Sequence, residues 1–214
     1  MKYVALIGMT LLAAGCVQQG FDYNGLHVAK YGDGIAVTGD IVIYFNPSGA
    51  SAGMPVADYV FLSDDNCDKA AAERLSGNKT HIIGTFDCVS GMKGSTYSMT
   101  YSDSVSFDSG KVVIRSTPGM NGNTQGNGYI VTLNEITFYY DNGDARAAKR
   151  GETMTFYYNN GDRVGGVNTS VDMAFLTYAG AAKTIKPKIV VPIGADAAQF
   201  KAELKGTGIE VRVI

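Results

Sequence analysis

Residues 185–214, IKPKIVVPIGADAAQFKAELKGTGIEVRVI, carry the strongest signal for how this chain folds. Residues 185–193 are β-branched and apolar, with Pro187 and Pro192 marking an edge or bulged strand. Asp196 with Gln199 three places on resembles a capping box, Phe200 and Leu204 share a helical face, and Gly206 stands where a helix ends. Residues 209–214 then alternate apolar and polar, as a half-buried strand does. Strand, helix and strand in so short a span predict a crossover between parallel strands.

Working outward, most of the remaining chain reads as strands cut by turns. Residues 35–45 (IAVTGDIVIYF) stop at Asn46-Pro47, and 56–62 (VADYVFL) form a second apolar run. Asp64-Asp65-Asn66 precede 67–75 (CDKAAAERL), an Ala-rich short helix closed near Gly77. A strand over 81–89 (HIIGTFDCV) follows, then β-rich runs at 96–107, 111–116 and 129–140, separated by Gly, Pro and Asn clusters. The eight residues Thr137–Asp144 (TFYYDNGD) recur almost unchanged as 155–162 (TFYYNNGD), each copy reading as strand, turn, strand. The expected class is mainly β: an antiparallel sandwich or barrel-like domain with two short helices, the second in the C-terminal strand-helix-strand unit.

The first sixteen residues form an address. Lys2 precedes an apolar run at 4–12, and Ala13-Ala14-Gly15 lead into Cys16, the three parts of a secretory signal. The apolar run is too short to span a bilayer, which needs about 20 residues. The pattern resembles the signal of bacterial lipoproteins, with Leu12 one place further from the cysteine than in the commonest form. The resemblance implies cleavage before Cys16 and lipid on its sulfur, and Val17 in place of Asp implies sorting to the outer membrane. The plainer alternative is a secretory signal cleaved near Gly15, with Cys16 a spare thiol. The domain reading is therefore a signal peptide at 1–15, a lipidated tether at 16–34 and a single β-rich domain at 35–214.

Composition agrees with an exported β protein. Glycine, at 27 of 214 residues, is nearly twice its usual share of about 7 %, which suits tight turns. The 18 Lys and Arg nearly balance the 20 Asp and Glu, and no basic patch invites nucleic acid. Cys67 and Cys88, an even pair in an exported chain, read as a disulfide. Two cysteines and a distant His81 lack the paired spacing that structural zinc needs.

No catalytic constellation stands out. Gly49-Ala-Ser51-Ala-Gly53 matches G-x-S-x-G, but Met54-Pro55 leads into a β-like run where a nucleophile elbow needs a helix. His27 reads as solvated and His81 as a structural strand-end residue. The carboxylates Asp64, Asp65 and Asp68, and the pair Asp141 and Asp144, read as helix capping and turn formation, and neither set fits a calcium loop. No phosphate loop, dinucleotide fingerprint or other cofactor motif is present, so neither a metal nor a cofactor is expected.

These readings lead to an outer-membrane, lipid-anchored envelope protein with a non-enzymatic binding or structural role. Its partners would be the membrane, through lipid on Cys16, and an envelope protein or glycan. Tyr139, Tyr140, Tyr157 and Tyr158 are the candidate binding surface, because such rings pair an apolar face with a polar tip. Alternation along each strand should bury half of them. The alternative is a periplasm-facing hydrolase of envelope polymers or esters, using Ser51 with His81 or a carboxylate pair.

Overall fold

Two seven-stranded sheets, each built on the same plan, divide the chain between them. The computed structural model describes residues 20–49, 53–63, 67–100, 103–121, 124–141 and 170–214. The first sheet runs in chain order through β1 (Gly20–Tyr23), β2 (Leu26–Tyr31), β3 (Gly34–Thr38), β4 (Ile43–Phe45), β5 (Ala57–Leu62), β6 (Ser76–Gly84) and β7 (Ser95–Ser98). The second consists of β8 (Ser104–Phe107), β9 (Val112–Asn121), β10 (Thr124–Leu133), β11 (Ile136–Tyr140), β12 (Met173–Leu176), β13 (Ile189–Pro192) and β14 (Glu210–Val211). In each, the first four strands are antiparallel and the last four run parallel.

Parallel neighbours need a crossover, and short helices provide several of them. In the first half these are α1 (Lys69–Leu75) and α2 (Phe86–Val89), and in the second α3 (Ala179–Ile185) and α4 (Ala197–Glu203). Helix α1 starts where the Asp68 carboxylate accepts the Ala71 N–H at 2.8 Å, and it buries Ala71, Ala72 and Leu75. Helix α4 starts at Asp196 in the same way, with Ala198 N–H as donor, and buries Phe200. A disulfide joins Cys67, just before α1, to Cys88 in α2, with Cα atoms 5.9 Å apart. Closing that loop is worth about 3 kcal/mol in the chain-entropy picture.

The antiparallel sandwich or barrel expected from composition is thus corrected to two mixed sheets packed face to face, with helices on both outer faces. The main core lies between the sheets, from Val28, Val37, Phe45 and Phe61 on one side to Ile114, Tyr129, Phe138 and Phe175 on the other. One satellite core packs α1 and α2 against the first sheet, through Ala72, Leu75, Cys88 and Val89. Another packs α3 and α4 against the second, through Ala181, Ala182 and Phe200.

Several boundaries differ from expectation. The first sheet begins at Gly20, inside the stretch read as a tether, because Asn24 and Gly25 (φ 49° and 80°) make the tight turn of a hairpin. Residues 35–45 split into β3 and β4, and 96–107 split into β7 and β8, which lie in different sheets. The strand expected at 81–89 ends at Gly84, and Cys88 lies in α2. The C-terminal crossover is present: β13, α4 and β14 follow in order, and Ile189 and Val190 pair in parallel with Glu210 and Val211.

The sheets are also tied along one side. Arg212 lies 4.7 Å from the centre of the Phe21 ring and donates to the Asp22 carbonyl at 3.1 Å, linking β1 to the segment after β14.

Candidate functional site

The parallel strands of both sheets end at a common edge. Phe45, Phe61, Tyr140 and Phe175 each stand within the last two residues of their strands, and their rings meet across the interface. Phe45 stacks on Phe61 and on Tyr140, each at 4.9 Å, and meets Phe175 at 5.7 Å. Ligands of parallel sheets bind where strands end in this way, because the loops that follow are free to carry polar groups.

Just beyond these rings the chemistry turns polar. The Ser63 N–H donates to the Asn46 side-chain Oδ1 at 2.7 Å, and the Asn46 side-chain amide donates back to the Ser63 hydroxyl. Across the interface, the Asn127 N–H donates to the Ser63 carbonyl and its side-chain amide to the Met99 carbonyl, each at 2.7 Å. The buried Tyr129 hydroxyl donates to the Leu62 carbonyl at 2.9 Å, and burial raises its pKa above the ordinary phenol value. These bonds stitch the end of β5 to β10. Ser63 and Asn127 are themselves buried.

Asp141 continues the row. It follows β11, and with Tyr140 paired to Tyr129 it stands beside Gly128. Its N–H donates to the Phe175 carbonyl at 3.0 Å, and its Oδ2 accepts from the Thr177 hydroxyl at 3.4 Å. The residue is only 9 % exposed. Gly128 has to be glycine here, because a Cβ would meet the Thr117 hydroxyl at 2.5 Å and the Tyr140 carbonyl at 3.1 Å. Thr85, one residue past β6, is equally buried, and its hydroxyl has no protein partner.

At the rim, Asp68 accepts from Ala71 N–H and, at 3.3 Å, from Gly49 N–H. Those backbone donors, the Ala71 bond first, hold its carboxyl below the usual carboxylate range.

The residues singled out in the sequence are mostly elsewhere. Gly49 and Gly53, which flank Ser51, belong to the connection after β4, whereas His81 is paired with Tyr59 near the starts of the parallel strands. The His81 ring packs on Phe107 at 4.3 Å and on Tyr59 and Tyr97 at 5.4 Å each. Its role is packing. Ser51, Asp64, Asp65, Asp144, Cys16 and the second echo copy with Tyr157 and Tyr158 lie outside the described residues. Tyr139 and Tyr140 are 6 % and 5 % exposed, one in each core, so this half of the expected binding surface is interior. Asn46, Ser63 and Asn127 were missed because each reads locally as a strand end or turn. The strand-ending Asn46-Pro47 and Asp141-Asn142 were the available signals.

No protein-family model matches the chain, and neither does any curated protein sequence. Solved structures do match. A Parabacteroides distasonis protein assigned as a metal-dependent hydrolase superposes with a TM-score of 0.69 at 20 % identity, over 92 % of this chain and 98 % of that one. The metallo-β-lactamase fold protein YhfI of Bacillus subtilis gives 0.54 at 12 % identity, over 85 % and 87 %. A diphosphatase of the PhnP family gives 0.53 at 11 % identity, over 84 % and 80 %. The chain therefore has the metallo-β-lactamase fold. The non-enzymatic binding or structural role expected from the sequence is corrected on this finding, and nothing in the comparisons supports the lipoprotein, outer-membrane and palmitate terms attached to it.

A fold shared with metal-dependent hydrolases raises the question of whether these residues fit a metal. Zinc is held by imidazole, thiolate and carboxylate, and its catalytic sites use three such ligands. The two histidines are His27, paired with Asp22 at 2.7 Å on the β1–β2 hairpin, and His81 in its aromatic stack. Cys67 and Cys88 are joined to each other. Among the described residues, no three His, Cys, Asp or Glu side chains converge. The described residues do not fit zinc.

Proposed function

We propose that this protein is a hydrolase, working at the common edge where its parallel strands end and using side-chain oxygen groups. The observation that carries the reading is Asp141: a buried carboxylate just past a parallel strand, steadied by Thr177, in a row of amides and hydroxyls. The fold, shared with proteins assigned as hydrolases, supports it.

The substrate class proposed is an ester or polymer of the cell envelope. Asp141 takes a proton from the attacking water as the new C–O bond forms, then returns it to the departing alkoxide, so that ester and water leave as acid and alcohol. Thr85, whose buried hydroxyl lacks a protein partner, is the proposed donor to the substrate oxygen. A positioned general base contributes a factor of about 10²–10⁴.

The location proposed is the cell envelope, with attachment through Cys16. It is supported by residues 1–16 and by a disulfide suited to an oxidising compartment.

The test is turnover of a panel of carboxylic and phosphoric esters by the purified chain and by Asp141→Asn. Hydrolysis that falls by about 100-fold or more in the variant at unchanged Tm supports the assignment. Absence of turnover on every ester, or an equal rate in the variant, would sink it.

A further inference from the structure

We infer that this site works without zinc, although its fold is shared with metal-dependent hydrolases. The inference rests on the hydrolase reading above only in taking the same edge as the working site. Tight zinc sites are built from imidazole and thiolate, with carboxylate in support, whereas carboxylate, carbonyl and water alone suit harder cations. Composition caps the first kind of donor at two histidines and three cysteines in the whole chain.

The fold then removes four of the five from this edge. His27 lies within the antiparallel strand β2, opposite Thr38, and its ring faces Asp22. His81 lies within β6, opposite Tyr59 and Ser95, under Phe107. Each is held by its sheet, so neither ring swings to Asp141 without unpairing a strand. Cys67 and Cys88 spend their sulfurs on each other. Cys16 alone remains, and one thiolate does not make a zinc site.

Two described carboxylates beside this edge have protein hydrogen-bond donors. Asp68 caps α1 and the Gly49 amide, and Asp141 accepts from Thr177.

The experiment uses the untagged full chain, produced in zinc-supplemented medium and dialysed into zinc-free buffer without chelator. Metal content is read by elemental mass spectrometry and Tm with and without EDTA, alongside a His27→Ala variant. The expected result is below about 0.1 zinc per chain, with Tm unmoved by EDTA. Zinc present in the parent and lost in His27→Ala sits on the exposed His27–Asp22 pair and supports the inference. Half an equivalent or more retained by the variant overturns it. Hydrolysis that is found, abolished by EDTA and restored by zinc but not by magnesium or calcium would overturn it while leaving the hydrolase reading intact. Failure to find any hydrolysis would remove that reading and still leave the zinc measurement decisive here.

Discussion

The same strands end in two different chemistries. Around Tyr59 and His81, rings dominate: Tyr59, His81, Tyr97 and Phe107 pack against one another at 4.3–5.5 Å. The charged groups there are structural. Asp172, 5 % exposed, accepts the Thr137 N–H at 2.8 Å, the Lys188 ammonium at 2.7 Å and the Tyr23 hydroxyl at 3.4 Å. That carboxylate raises the pKa of Lys188 by direct hydrogen bonding. A hollow of about 510 Å³ lies beside this end, lined by Ile41, Asp108, Ser109, Lys111 and Asn134, turn and strand-flanking residues. Burial, then the neighbouring Asp108 carboxylate, pushes the Tyr59 phenol up to about 12.

Where the strands finish, a second ring cluster of Phe45, Phe61, Tyr140 and Phe175 gives way, just beyond it, to amides, hydroxyls and Asp141. The difference follows from the connections. Hairpin turns and strand starts have their polar groups satisfied by neighbouring backbone, whereas the loops that follow parallel strands must travel to a crossover and bring side chains with them.

The sharpest way to break that division is to exchange carboxylates at its two ends. Asp141→Asn should cost hydrolysis by about 100-fold or more and leave Tm nearly unchanged. Asp172→Ala should do the reverse. It strands the Thr137 N–H and costs about 1–3 kcal/mol in denaturant unfolding, with turnover of the folded protein preserved. If the two variants behaved alike, the division would fail.

A smaller effect sharpens the same comparison. The His81 Nδ1 is buried without a partner, so His81→Phe removes an unpaired polar atom and keeps a ring in the stack. Stability should hold or rise by about 1 kcal/mol, with unchanged turnover. Lost turnover in this variant would return the catalytic base to a histidine.

The smallest expected change is at the rim. Asp68→Ala removes the cap of α1 and should cost about 1 kcal/mol at neutral pH. Because the folded-state pKa of Asp68 is lowered, its contribution is present above the unfolded value near 3.9 and fades as pH falls through the lower folded value. Parent and variant should therefore converge in Tm in strongly acidic buffer. A gap that persists there would show that Asp68 acts through something other than its charge.

How much was legible in advance varies with the range of the interaction. The Asp68-capped helix, the Cys67–Cys88 link and the C-terminal crossover could be read from adjacent residues or simple pairing rules. The hairpin at Asn24-Gly25 was equally readable and was masked by its polar surroundings. The site was not. Asn46, Ser63, Asn127 and Asp141 come from four strand ends, and each has a complete local explanation as a turn or a stop.

The sequence by itself determined strand content, the capped helices, the cysteine pair and a ceiling of two histidines, because each depends on a residue's own chemistry or on near neighbours. Only the tertiary structure decided that the last four strands of the first sheet also run parallel, that residues 96–107 divide between sheets, and that Asp141 shares an edge with Ser63 and Asn127. Strand direction and strand neighbours are set by burying both faces of each sheet at once, a long-range requirement that a period-two pattern does not encode.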